Sequence, residues 1–236
     1  MTTTGRPTYV PSTSDISKAF ADEITSLGGT VPNVYDDGER MFARGVLPAD
    51  AEVRPGDHIR GGVALRVAGP QIQVHPYTFR QVCSNGAIAA QALESRRLER
   101  IEAAEVAAPT SDTGVVMIDL RLAVRVCAAP EAFAVTTRQM RSATEVEADL
   151  ALNLLPVLAR MPGGMDQRWL SQILQRFSTD DDRSVFGLMN AVTSVARDVR
   201  DQDARWRLEE LGGTIPARLV LKPKVVARPE PALVGA

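Results

Sequence analysis

The feature that most constrains this chain is a series of turn signals spaced along residues 30–83. Asp37-Gly38, Pro55-Gly56-Asp57 and Gly69-Pro70 each interrupt a run of extended character. Such pairs close hairpins, because glycine reaches backbone angles other residues avoid and proline fixes φ and has no N–H to donate. Between them, Arg40 to Leu47 reads as a strand. His58 to Ala68 alternates, with Val63, Leu65 and Val67 on one side and Arg60, Ala64 and Arg66 on the other. Gln71 to Val74 continues the alternation until Pro76, which predicts an edge or a bulge. Successive hairpins of this kind predict an antiparallel meander with one face buried and the other polar.

Local patterns outside the meander predict helices and one further strand. Ser14-Asp15 is placed to cap a helix whose positions Ile16, Ala19, Phe20, Ile24 and Leu27 share a face, and Gly28-Gly29 stops it. Ala87 to about Val106 has no glycine or proline and is rich in Ala, Leu, Glu and Arg, which predicts a long helix. Pro109 to Gly114 reads as a loop. Val115 to Cys127 reads as a strand, with Val116, Ile118, Leu120, Leu122, Val124 and Val126 facing one way. Met117, Asp119, Arg121, Ala123 and Arg125 face the other. After Pro130 the character is helical to about residue 211. Segments Glu131 to Met140, Thr144 to Arg160 (bent or broken near Pro156) and Met165 to Phe177 come first. A last helix begins near Asp180, with the stripe Val185, Leu188, Met189, Val192, Val195, Ala196 and Val199. Gly212-Gly213 ends the helical part.

The fold class expected is α+β: an antiparallel sheet, a long helix after the hairpins, and a helical C-terminal portion. Residues 1–13 read as a disordered lead-in and 14–221 as one domain, sheet-rich over 14–128 and mostly helical over 129–221. Residues 222–236 read as a loose tail.

Composition narrows the function classes. The 236 residues are 44% hydrophobic and 24% charged, ordinary for a globular chain and too apolar for a disordered one. No apolar run approaches the roughly 20 residues of a membrane-spanning helix. The start, Met1-Thr2-Thr3-Thr4-Gly5-Arg6, lacks the features of a signal peptide, so a cytoplasmic location with reduced thiols at Cys83 and Cys127 is expected. A net charge of −2 gives no global attraction to nucleic acid or anionic lipid.

Several constellations bear on chemistry. The phosphate-cradling G-x-x-x-x-G-K-[ST] pattern is missing, and Gly61-Gly62 lies inside a strand, so no cofactor is expected. His58, His75, Cys83 and Cys127 all fall on the expected sheet but not at metal-ligand spacings, and buried thiols and ordinary histidines account for them without a metal. Asp180-Asp181-Asp182 could attract a cation, but acids at a helix start complement its dipole and cap its free N–H groups, which explains the run without one. Cys83 stands at a strand-to-helix corner near Arg80, with His75 as a conceivable base; this is the candidate centre for an enzyme with a reactive cysteine, and simple packing is the competing reading. The polar strand faces carry Arg60, Arg66, Gln71, Gln73, Arg121 and Arg125, and Arg80, Arg96 and Arg97 lie nearby. Arginines gathered on one exposed sheet could follow a phosphate backbone, or form a solvated face or a contact between copies. Stacking residues there are limited to His75, Tyr77 and Phe79.

The segment Arg80-Gln81-Val82-Cys83-Ser84-Asn85-Gly86, preceded by the Gly56-Asp57 turn, resembles the Arg-x-Val-Cys-x-Asn-Gly corner of a phage/plasmid-like domain-of-unknown-function family. A late helix, Val185-Phe186-Gly187-Leu188-Met189-Asn190-Ala191-Val192-Thr193, is similar to another of its segments. The turn at Ala68-Gly69-Pro70 and the pair Ser194-Val195 depart from the family pattern, as in a divergent member. The resemblance implies a gene of a phage, plasmid or integrated element and supplies no catalytic residues. Asp57, Asn85, Gly86, Asn190 and Thr193 are its motif positions, with structural roles expected: Asn85 or Gly86 at positive φ, Ser84 or Asn85 capping a following helix. The leading expectation is a non-enzymatic DNA-associated accessory protein, favouring single strands, with arginines contacting phosphate. An enzyme centred on Cys83 and a structural protein that self-associates are the alternatives.

Overall fold

A computed structural model describes residues 11–81, 84–99, 112–159, 161 and 164–219. Most of the expected lead-in, the tail and Cys83 therefore lie outside the described residues. The chain is α+β, built on a six-stranded antiparallel sheet with helices on both faces.

Helix α1 (Thr13–Ser26) begins two residues earlier than Ser14-Asp15 suggests. Ser12 is its N-cap, accepting from the Asp15 N–H while the Asp15 carboxylate accepts from the Ser12 N–H, a reciprocal capping box. The chain leaves the helix through Gly28 at positive φ. Strands β1 (Thr30–Asp36), β2 (Arg40–Arg54), β3 (Asp57–Ala68) and β4 (Gln71–Arg80) then form the meander, joined at turns where Gly38, Gly56 and Gly69 all have positive φ. Strand β2 runs past Leu47 by way of an irregularity between Val46 and Asp50, which accommodates Pro48.

Two expectations for residues 87–127 are corrected. The described part of 87–106 is not helical. Asn85–Ile88 forms β5 against Tyr77–Arg80, and Arg96–Glu99 forms β6 against Gln71–Val74. Strand β4 would otherwise present a row of unpaired backbone groups, and covering that edge outweighs local helix propensity. Pro76 lies in the gap between these partners, where the Ala89 N–H donates to its carbonyl at 2.9 Å. The expected strand at 115–127 is instead helix α2 (Asp112–Cys127), so the long helix after the hairpins exists but lies further along the chain. Its buried residues Leu120, Ala123, Val124 and Cys127 follow the i, i+3, i+4, i+7 spacing of a helix face. Ile118 and Leu122, assigned to the core by alternation, are exposed.

The C-terminal half comprises α3 (Pro130–Thr144), two single turns α4 (Leu150–Asn153) and α5 (Leu155–Leu158), α6 (Gln167–Thr179), α7 (Val185–Asp198) and α8 (Gln202–Ala217). Helix α7 is capped by Ser184 rather than starting near Asp180, and is buried nearly all round. Gly212-Gly213 does not end the helical part. Helix α8 passes straight through them, and a Cβ at Gly213 would sit 2.1 Å from the Ile88 carbonyl oxygen, so the glycines permit close contact with β5 and α7.

Helices α1 and α2 cover one sheet face, packing Ile16, Phe20, Ile24, Leu120 and Val124 on Met41, Val63, Leu65, Val67, Ile72 and Val74. On the opposite face Phe42, Ala64, Tyr77 and Ile88 meet Trp206 of α8. A third core joins Val53 and Ile59 to α3 and α5–α8.

Candidate functional site

The motif segments of the sequence, up to 136 positions apart between Asp57 and Thr193, meet at one end of the sheet. Arg80, at the end of β4, donates to Asp57 through Nε at 2.7 Å and Nη2 at 2.6 Å, a two-pronged guanidinium–carboxylate pair. Its guanidinium lies 5.6 Å from the centre of the Phe186 ring of α7, and that of Arg54 lies 5.4 Å from the same ring. Arg54 also reaches Asp182 at 2.7 Å. Directly opposite Arg80 on β5, the Asn85 Nδ2 donates to the Thr193 hydroxyl at 2.6 Å, and that hydroxyl donates to the Met189 carbonyl at 3.1 Å. The Gly56-Asp57 turn, the Arg80 corner and the late helix are thus one polar node.

The expected backbone roles at the corner change. Ser84, at φ +50°, takes the left-handed conformation, and a strand rather than a helix follows, so neither Ser84 nor Asn85 caps one. Gly86 is required for another reason: a Cβ there would overlap the Tyr77 hydroxyl.

The arginines expected on an open sheet face are placed differently. That face lies beneath α8, whose residues Asp203, Trp206 and Glu210 share a side by their i, i+3, i+7 spacing. Arg66 donates to Asp203 at 2.6 Å and lies over the Phe42 ring. Arg44, buried with only 3% of its side chain exposed, pairs with Glu209 at 2.7 Å. Arg80 is held by Asp57. Arg96 donates to the backbone carbonyls of Leu93 and Ser95, while Arg60 and Arg97 are exposed. Arg121 and Arg125 stand on α2, outside the sheet, and both reach the buried carboxylate of Glu23, at 3.8 and 2.5 Å. The cations do not form one open surface. The acids that meet them carry no pairing signal in the sequence, since a carboxylate on α8 looks like any solvated helix residue until the helix is docked.

His75 is 1% exposed, and its ring lies 5.8 Å from that of Trp206. Burial, with a lesser contribution from the Arg97 charge, lowers its pKa to about 4, so it is neutral near pH 7. Glu210 accepts from Trp206 Nε1 at 2.8 Å, and burial raises its pKa. An imidazole enclosed in this way does not present itself to a substrate. The Cys127 thiol donates to the Glu94 carbonyl at 3.1 Å, and burial pushes its pKa up to about 12, which leaves it unreactive. His58 bonds to Asp50 at 2.9 Å, far along the sheet from Cys127. No group of three or more potential metal ligands occurs among the described residues. Asp182 accepts from the Ser184 hydroxyl and N–H, which ties the acidic run to the start of α7.

Comparison with family models, curated proteins and solved structures finds no match. No helix among the described residues is long and apolar enough to cross a membrane.

Proposed function

We propose that the chain is a divergent member of the phage/plasmid-like family and acts as a non-enzymatic, DNA-associated accessory protein of a mobile element, with its phosphate contact on α2 rather than on the sheet. The observation that carries this reading is the sharing of one carboxylate by two cations. Arg121 and Arg125, one helical turn apart with side chains 48% and 63% exposed, both lean on Glu23, so two guanidinium charges meet one carboxylate. Both guanidinium groups remain open to solvent, with the exposed Asp119 on the same helix. With two phosphate contacts, binding is weak and falls with salt at a logarithmic slope of about −2.

Fluorescence anisotropy with labelled single- and double-stranded oligonucleotides at low salt tests this. The expected result is binding at tens of micromolar that Glu23→Gln strengthens and Arg121→Gln/Arg125→Gln abolishes. No binding, or binding indifferent to all three substitutions, overturns it.

A second reading, self-association, is favoured by Ile118 and Leu122, 65% and 58% exposed on the same outer face of α2. Light scattering separates the two: an oligomer dissociated by Leu122→Glu supports assembly, and a strict monomer excludes it.

A further inference from the structure

Within the polar node lies a small, partly open pocket of about 10 Å³, lined in part by Arg80, Asn85, Met140, Asn190 and Thr193. Two of its side chains are buried yet incompletely bonded: Asn85 is 3% exposed and Asn190 6%, and the Oδ1 of each has no hydrogen-bond partner. The orientation of the Asn85 amide is fixed by its neighbour. The Thr193 hydroxyl spends its proton on the Met189 carbonyl, so it accepts from Asn85 Nδ2, and Asn85 Oδ1 must face the other way. A buried carbonyl oxygen left without a donor is costly, and native interiors seldom retain one.

We propose that this cavity is a binding site for a single internal water molecule, which donates one hydrogen bond to Asn85 Oδ1 and one to Asn190 Oδ1. The stoichiometry fits, since two unmet acceptors require two donors and water supplies two. The size fits, since about 10–15 Å³ of such space holds one water. The charge fits a neutral ligand: no carboxylate is among the lining residues, and the one charged side chain there, Arg80, is already matched by Asp57. The water joins the strand that follows the Arg80 corner to the late helix, alongside the direct Asn85–Thr193 bond. Both asparagines thereby have a role that needs no external ligand.

A crystal structure at about 1.5 Å resolution, grown in rubidium chloride, tests the site. The expected result is a water-sized peak without anomalous signal, at hydrogen-bonding distance from both Oδ1 atoms. The same peak should vanish in Asn190→Leu, which replaces the amide with an apolar group of similar shape. An anomalous peak assigns a monovalent cation and overturns the proposal, as does a dry cavity. Should Asn190→Leu fail to fold, water-to-protein cross-relaxation in the NMR spectrum of the native chain decides the matter. A long-lived water signal at the Asn85 side-chain amide supports the site, and its lack overturns it.

Discussion

The two faces of the sheet solve the same burial problem in different ways. Under α1 and α2 the contact is apolar, with Val63, Leu65 and Val67 packed on Ile16, Phe20 and Leu120. The buried carboxylate of Glu23 turns to Arg121 and Arg125 of α2 rather than to the sheet. Under α8 the sheet contributes Arg44, Arg66 and His75 beside Phe42 and Tyr77, and the helix answers with Glu209, Asp203 and Trp206. An apolar contact is non-directional and tolerates small shifts. A buried charge does not, because a displaced partner leaves an ion desolvated and unmatched. The polar face therefore fixes where α8 sits, and the apolar face mainly supplies burial.

The largest expected effect falls on the polar side. Glu209→Ala strands the Arg44 guanidinium and should cost about 3–5 kcal/mol in urea unfolding; a loss below about 1 kcal/mol would erase the contrast between the faces. On the apolar side, Leu65→Ala should cost about 2–5 kcal/mol by cavity formation, with the same loss at pH 5 and pH 7.5.

Acid should act on the polar side through His75. The unfolded chain takes up a proton at His75 near pH 6.5, whereas the folded chain resists until about 4. The His75 contribution to stability is therefore complete above pH 6.5 and falls as pH drops toward 4, by roughly 3 kcal/mol at most. Glu210, whose pKa burial raises, acts in the opposite sense, since its protonated form suits the fold and stability from it is lost as pH rises. The readout is thus the difference between native protein and His75→Phe. The variant should show the shallower acid slope, and equal slopes would refute the assignment. The smallest effect is expected for Asp203→Asn, a partly exposed pair with Arg40 and Arg66, at under about 1 kcal/mol in 0.15 M salt.

What was legible in the sequence follows the same physical division. Turns are set by local backbone chemistry, so Gly38, Gly56 and Gly69 marked the hairpins correctly, as did the alternation of β3. Residues 85–99 and 112–127 are decided by tertiary demands. The open edge of β4 recruits β5 and β6 from a stretch with helical composition. The apolar residues of 116–126 alternate like a strand, and only the quartet Leu120, Ala123, Val124 and Cys127 signals the helix. The motif positions Asp57, Asn85, Gly86, Asn190 and Thr193 were visible as motifs, and their convergence was not. The sheet arginines stand out as a group in the sequence, but the carboxylates that meet them lie elsewhere in the chain, more than 130 residues further on, on α8, in the case of Arg66 and Asp203.

The claim that α8 is placed by charge matching is tested most directly by a double-mutant cycle on Arg44→Met and Glu209→Leu, read by urea denaturation. Glu209→Leu leaves the buried Arg44 without its counterpart, whereas Arg44→Met leaves Glu209 its bond to the partly exposed Arg205 at 3.0 Å, and the pair together leaves no unmatched ion in the interior. The account predicts a double variant about 3 kcal/mol more stable than Glu209→Leu alone. Losses that simply add would contradict it.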